Sequence, residues 1–162
     1  MSPSTSRQTT LTVRDAPSPP KGAPIFSLCL RPSTRPGHPM TPEDRQRPGQ
    51  IRRLGRAHAS LWGFSSFGDA VSLCLSELVT NAFLHGEGNV GVRMWCTNTQ
   101  IHIEVSSSTG RQQMPLCPRE VDLLDESGRG LMLVDAYADS WGVVEDGSLN
   151  RTWCVFALGG GR

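Results

Sequence analysis

Two groups of residues in this chain have the types and spacing to do chemistry. Glu77 and Asn81, in the run SELVTNAFLHG, stand four positions apart, so on a helix they project from one face. Both sit among the apolar residues Leu75, Leu78, Val79 and Ala82. A carboxylate and an amide so placed can hold a hydrated Mg²⁺ and orient a hydroxyl or water nucleophile. The same pair also suits the polar face of an ordinary amphipathic helix, and spacing alone leaves both readings open. The second group is Gly128-Arg129-Gly130, in SGRGL, at the start of an expected helix Gly130–Tyr137. Glycines there free backbone N–H groups to approach phosphate, and the helix dipole favours an anion. The stretch lacks the third glycine of a dinucleotide fingerprint and the lysine of a P-loop. A flexible loop with a glycine helix start is its plain alternative.

The elements that must position these groups follow from the hydrophobic pattern. Residues 1–24 are rich in Ser, Thr and Pro without an apolar period, the pattern of a disordered tail. Ile25–Leu30 suits a short strand. Arg31–Gly49 carries five prolines and four arginines, which excludes a continuous helix and leaves a long loop, mobile or functional. From about Gln50 to Gly63, Ile51, Leu54, Ala57, His58 and Leu61 recur at helical spacing. A second helix is expected from Gly68 to His85, burying Val71, Leu75, Leu78, Val79, Ala82 and Phe83 and stopping at Gly86. Val90–Thr97 and Ile101–Ser107 read as strands joined by a turn over Thr97–Gln100. In the second strand Ile101, Ile103 and Val105 alternate with His102, Glu104 and Ser106, which predicts one buried face. Residues 109–119 are polar and turn-rich, and Ser140–Val144 with Arg151–Leu158 forms a last hairpin around Asp146-Gly147. The expected fold class is α+β, a two-layer α/β sandwich with helices on one face of a mixed, mostly antiparallel sheet. It would occupy residues 25–158, with 159–162 a flexible C-terminus.

Taken together, the motifs carry more than either alone. LCLSELVTNAFLHG and ESGRGLMLVDAYADSWGV, followed by RTWCV at 151–155, resemble in type and order the conserved boxes of the histidine-kinase-like ATPases. Within that superfamily the resemblance is to the anti-sigma-factor serine/threonine kinase branch. It implies that Asn81 coordinates Mg²⁺ bridging the ATP phosphates and that Glu77 is the general base for a protein hydroxyl. It implies that Gly128, Arg129 and Gly130 line the phosphates and that Thr152 helps fix the nucleotide. His85 falls where this branch often has a basic residue near the phosphates, although a histidine at a helix C-terminus has its own electrostatic reason to be there. One position departs from the pattern. Family members carry an Asp at the end of the strand 101–107 that reads the adenine amino group, and alternation from Ile103 and Val105 puts Ser107 there. Exchanging a buried charge-assisted bond for a neutral one costs on the order of 1.5–3 kcal/mol.

Composition bounds the rest. Through Arg56 the chain carries nine Arg and Lys21 against three acids, a balance of +7, and the remainder carries −6. Arg45, Arg47, Arg52, Arg53 and Arg56 offer a basic front, yet no aromatic interleaves with them and no DNA-reading motif appears, so nucleic acid is the less favoured partner. His58 and His102 are assigned ordinary surface or edge roles. The five cysteines show no metal-ligand spacing. No secretory signal or membrane-spanning run is read from the sequence, and the expectation is a soluble cytoplasmic protein. The expected partners are a sigma factor or an anti-sigma-factor antagonist protein, with ATP and Mg²⁺ as cofactors and a homodimer left open. A catalytically silent binding module of the same fold, motivated by Ser107, is the alternative to a serine/threonine kinase.

Overall fold

A computed structural model of the chain describes residues 16–35, 37–108 and 126–159. Most of the expected tail, the polar stretch 109–119 and the last three residues lie outside the described residues. The elements run β1 (Ile25–Leu30), α1 (Arg47–Leu61), α2 (Gly68–His85), β2 (Glu87–Cys96), β3 (Gln100–Ser108), α3 (Glu126–Tyr137), β4 (Ser140–Asp146) and β5 (Leu149–Ala157). One sheet in the order β1-β2-β3-β5-β4 holds all five strands. Every pairing among the described residues is antiparallel, where the expectation was a mixed, mostly antiparallel sheet. The α+β two-layer class stands. The turn over 97–100 closes with the Thr97 N–H donating to Gln100 O at 2.8 Å, and Gly147, at φ 57°, makes the last hairpin.

Helix α2 is the spine of the domain. Val71, Leu75, Leu78, Val79, Ala82 and Phe83 are all buried, and they join Val92, Met94, Ile101, Ile103, Val105, Cys154 and Phe156 in one core. The stretch Ser65–His85, at mean hydropathy 1.2, is apolar enough to cross a membrane by length and composition, contrary to the sequence reading. However, 61% of that window is buried inside the fold, as in a core helix.

The first helix differs from expectation in which face it buries. Ile51, Gly55 and Ala59 are buried, whereas Leu54 and Leu61 are 37% and 77% exposed. Its contact face is small because α1 lies close on α2: a Cβ added at Gly55 would come within 2.9 Å of Leu75 Cδ2. Leu75 is fully buried and has little room to retreat. Gly55→Val is therefore expected to cost about 1–3 kcal/mol by overpacking, read as a lowered urea midpoint with unchanged slope. The helix opens with Pro48 in its first turn, where no intrahelical bond is lost. It ends in a Schellman motif, with Gly63 at φ 84°, the Gly63 N–H on Ser60 O and the Phe64 N–H on Ala59 O.

The proline-rich stretch before α1 is fastened rather than loose. Asp44, with no exposed surface, accepts on Oδ2 from the Ser33 N–H, the Thr34 N–H and the Thr34 hydroxyl, each at 2.7 Å. Arg47 Nε lies 3.4 Å from its other oxygen. Burial alone would raise the Asp44 carboxyl. The Thr34 hydroxyl, the Thr34 and Ser33 N–H groups and Thr41 together outweigh it and hold the carboxyl below the ordinary range. The Gly37 N–H donates to Leu84 O at 3.2 Å, which ties this stretch to the last turn of α2.

The sheet face away from the helices is also closed over in the middle strands, so β3 is buried on both sides. His102 is 7% exposed and stacks on Trp95, with ring centroids 5.0 Å apart. Burial pushes its imidazole pKa down. Arg93 lies over Trp95 at 5.5 Å and pairs with Glu104 at 3.3 Å. The expected surface or edge role for His102 is thus corrected: cross-strand stacking in a central strand puts it inside. His58, half-exposed, packs on Phe26 and Trp62.

Candidate functional site

The two motif groups, some fifty residues apart in sequence, meet in space. Helix α2 presents Glu77, half-buried, and Asn81, 5% exposed. Helix α3 crosses them at Gly130. A Cβ added there would stand 2.9 Å from Glu77 Oε2 and 3.3 and 3.5 Å from the Asn81 amide nitrogen and oxygen. A side chain at this position would have to displace the Glu77 carboxylate, so glycine lets the α3 backbone rest on the pair as it stands. The described helix already includes Glu126, ahead of the expected start at Gly130, so Gly128, Arg129 and Gly130 lie within the helix rather than before it. Of the three, it is Gly130 that makes the contact with Glu77 and Asn81.

The other end of α2 meets the sheet. The helix stops at Gly86, whose N–H donates to Ala82 O at 2.9 Å. A Cβ at Gly86 would collide with the Ser107 hydroxyl and stand 2.6 Å from Ser107 Cβ, so Ser107 is packed directly beneath the helix end. His85, half-buried, is the last residue of α2. In the β3–β5 register Ser107 faces Asn150 and Val105 faces Thr152. Strand alternation then puts Ser107, Asn150 and Thr152 on the helix side of the sheet. All three are buried, at 3%, 5% and 4% exposure.

Burial raises the Glu77 carboxyl above the ordinary range, and the charge of Arg52 partly opposes this. Arg52 reaches the site from α1, its Nε–H donating to Ser76 Oγ at 2.9 Å. A carboxylate held toward neutrality is a better proton acceptor near neutral pH than an exposed one. Arg52 and Asn150 are the two members that sequence reasoning missed. Arg52 was placed in the basic front, and nothing in its spacing sets it apart from Arg53 or Arg56. Asn150 enters only through strand register with Ser107.

The sequence model of the histidine kinase-like ATPase domain matches residues 40–155, more than half of the chain and every site residue above. The chain belongs to this family. No curated protein matches it in sequence. A histidine kinase-like ATPase domain binds ATP, typically with Mg²⁺, and the residues present fit that group. The glycine cradle at Gly130 is a place where a methyl group would collide with Glu77. Asn81 offers one amide oxygen, enough for an ion that keeps most of its waters and takes the rest of its shell from phosphates. Asn150 Oδ1 is buried without a hydrogen-bond partner, an acceptor left for a ligand.

Proposed function

We propose that this histidine kinase-like ATPase domain is a cytoplasmic regulatory serine/threonine kinase of the anti-sigma-factor type. It binds Mg-ATP and transfers the terminal phosphoryl group to a hydroxyl of an antagonist protein, and it holds a sigma factor as its other partner. The observation that supports this best is the seating of Gly130 on both Glu77 and Asn81, which brings the glycine motif onto a candidate general base and a metal-binding amide.

In this reading Asn81 holds the cation, and Gly128 and Arg129 contribute N–H groups to the phosphates. Thr152 and Ser107 border the base. Bound Mg-ATP supplies the phosphoryl group and the charge that offsets the phosphates. Glu77 accepts the proton of the attacking hydroxyl and orients its oxygen. Burial helps here by making the carboxylate more basic than an exposed one, and the charge of Arg52 partly opposes that shift. Positioning and charge stabilisation carry most of such a transfer.

Calorimetric titration with Mg-ATP tests the reading. Micromolar binding that Asn81→Ala weakens by tenfold or more is the expected result. No binding at millimolar Mg-ATP would sink the kinase and favour the second reading, a silent protein-binding module. Ser107 is the observation on that side, because a buried hydroxyl gives a weaker acceptor for adenine than a carboxylate.

A further inference from the structure

We infer that the base is read by the amide of Asn150 working with Ser107, and that the site therefore accepts 6-amino and 6-oxo purine nucleotides alike. This rests on the nucleotide-binding reading of the site. Ser107 and Asn150 are register partners, on the side of the sheet that faces α2. Ser107 is short and lies against the backbone of Gly86, so its hydroxyl alone reaches less far than a carboxylate would. Its neighbour is longer. Asn150 is 95% buried, at 5% exposure, and its Oδ1 has no hydrogen-bond partner. Buried acceptors are rarely left so. Among the described strand residues it is the one buried, unpartnered side-chain atom on the face toward the helices. The other such atoms of the strands, on Arg93, Trp95, His102, Glu104 and Trp153, belong to the opposite face by register.

The chemistry of an amide differs from that of a carboxylate in a way that sets specificity. An ionised carboxylate only accepts hydrogen bonds, so it demands the amino group at position 6 of adenine. An amide carries one acceptor and one donor side by side. In one orientation Oδ1 accepts from the 6-amino group and the NH₂ donates to ring N1. Turned over, the NH₂ donates to a 6-oxo group and Oδ1 accepts from N1–H. The Ser107 hydroxyl, donor and acceptor in one group, adapts to either. Nothing in this pair rejects hypoxanthine.

Titrating the full-length protein with Mg-ATP and Mg-ITP, which differ only at position 6 and the attached ring N–H, tests this. The wild type is expected to bind the two within tenfold of each other. Asn150→Leu should weaken both by about tenfold or more. Ser107→Asp, which restores the usual acceptor, and Asn150→Asp should each favour ATP over ITP by more than tenfold. Melting curves of each variant establish that it is folded. Should Asn150→Leu not fold, the Asp variants carry the test, and equal affinities for both nucleotides in them would overturn it. Wild-type preference for ATP beyond a hundredfold, or indifference to folded Asn150→Leu, would defeat the base-reading role while leaving nucleotide binding intact. Binding of neither nucleotide by the wild type defeats both.

Discussion

Glu77→Gln is expected to slow phosphoryl transfer by about 10²- to 10⁴-fold, the usual contribution of a positioned base, while Mg-ATP affinity stays within a few-fold. The amide has the shape of the carboxylate, so the contact with Gly130 survives; what it lacks is the capacity to take a proton. Single-turnover transfer of labelled phosphate, set beside calorimetric binding, separates the two effects. The pH profile adds a second readout. Because burial raises the Glu77 carboxyl, the acidic limb of the wild-type rate should lie above the ordinary carboxylate range, and Glu77→Gln should erase it. A variant that loses rate and affinity together would assign Glu77 a binding role instead.

Asp44→Ala is expected to cost on the order of 3 kcal/mol in folding stability. Removing this carboxylate strands the buried N–H and hydroxyl of Thr34 and the part-buried N–H of Ser33, and unpaired buried donors are costly. Asp44→Asn, which keeps an acceptor, should cost less. The sign of the pH effect follows from the lowered carboxyl. A group whose folded-state pKa is depressed contributes stability that is present above the unfolded pKa. That contribution is lost as pH falls through the folded one. Urea midpoints should therefore decline for the wild type from the ordinary carboxylate range downward, and the decline should be shallower in Asp44→Ala. Equal slopes in the two proteins would assign the acid sensitivity to other carboxyls.

Helix α2 was readable from sequence to its end residues, because six apolar side chains at helical spacing and a following glycine are local signals. The face of α1 was not. Leu54 and Leu61 are apolar and exposed, while the contact runs through Gly55, which has no side chain to announce it. His102 and Glu104 looked solvent-facing because they alternate with aliphatics, yet cross-strand partners Trp95 and Arg93 close over them. The same division holds at the site. Glu77, Asn81 and Gly130 carry motif spacing, whereas Arg52 and Asn150 arrive by helix packing and strand register, which no window along the chain can see.

The sheet order also bears on how the chain finds its fold. Strand β1 pairs with β2 so that Leu30 lies opposite Val90, with the whole α1–α2 hairpin in between. Closing a loop of that length carries an entropic cost that the adjacent β2–β3 hairpin does not. The Asp44 clasp lies inside that loop and shortens its free length once Ser33 and Thr34 are captured. A carboxylate with no part in the chemistry is thereby expected to influence how fast the first strand docks.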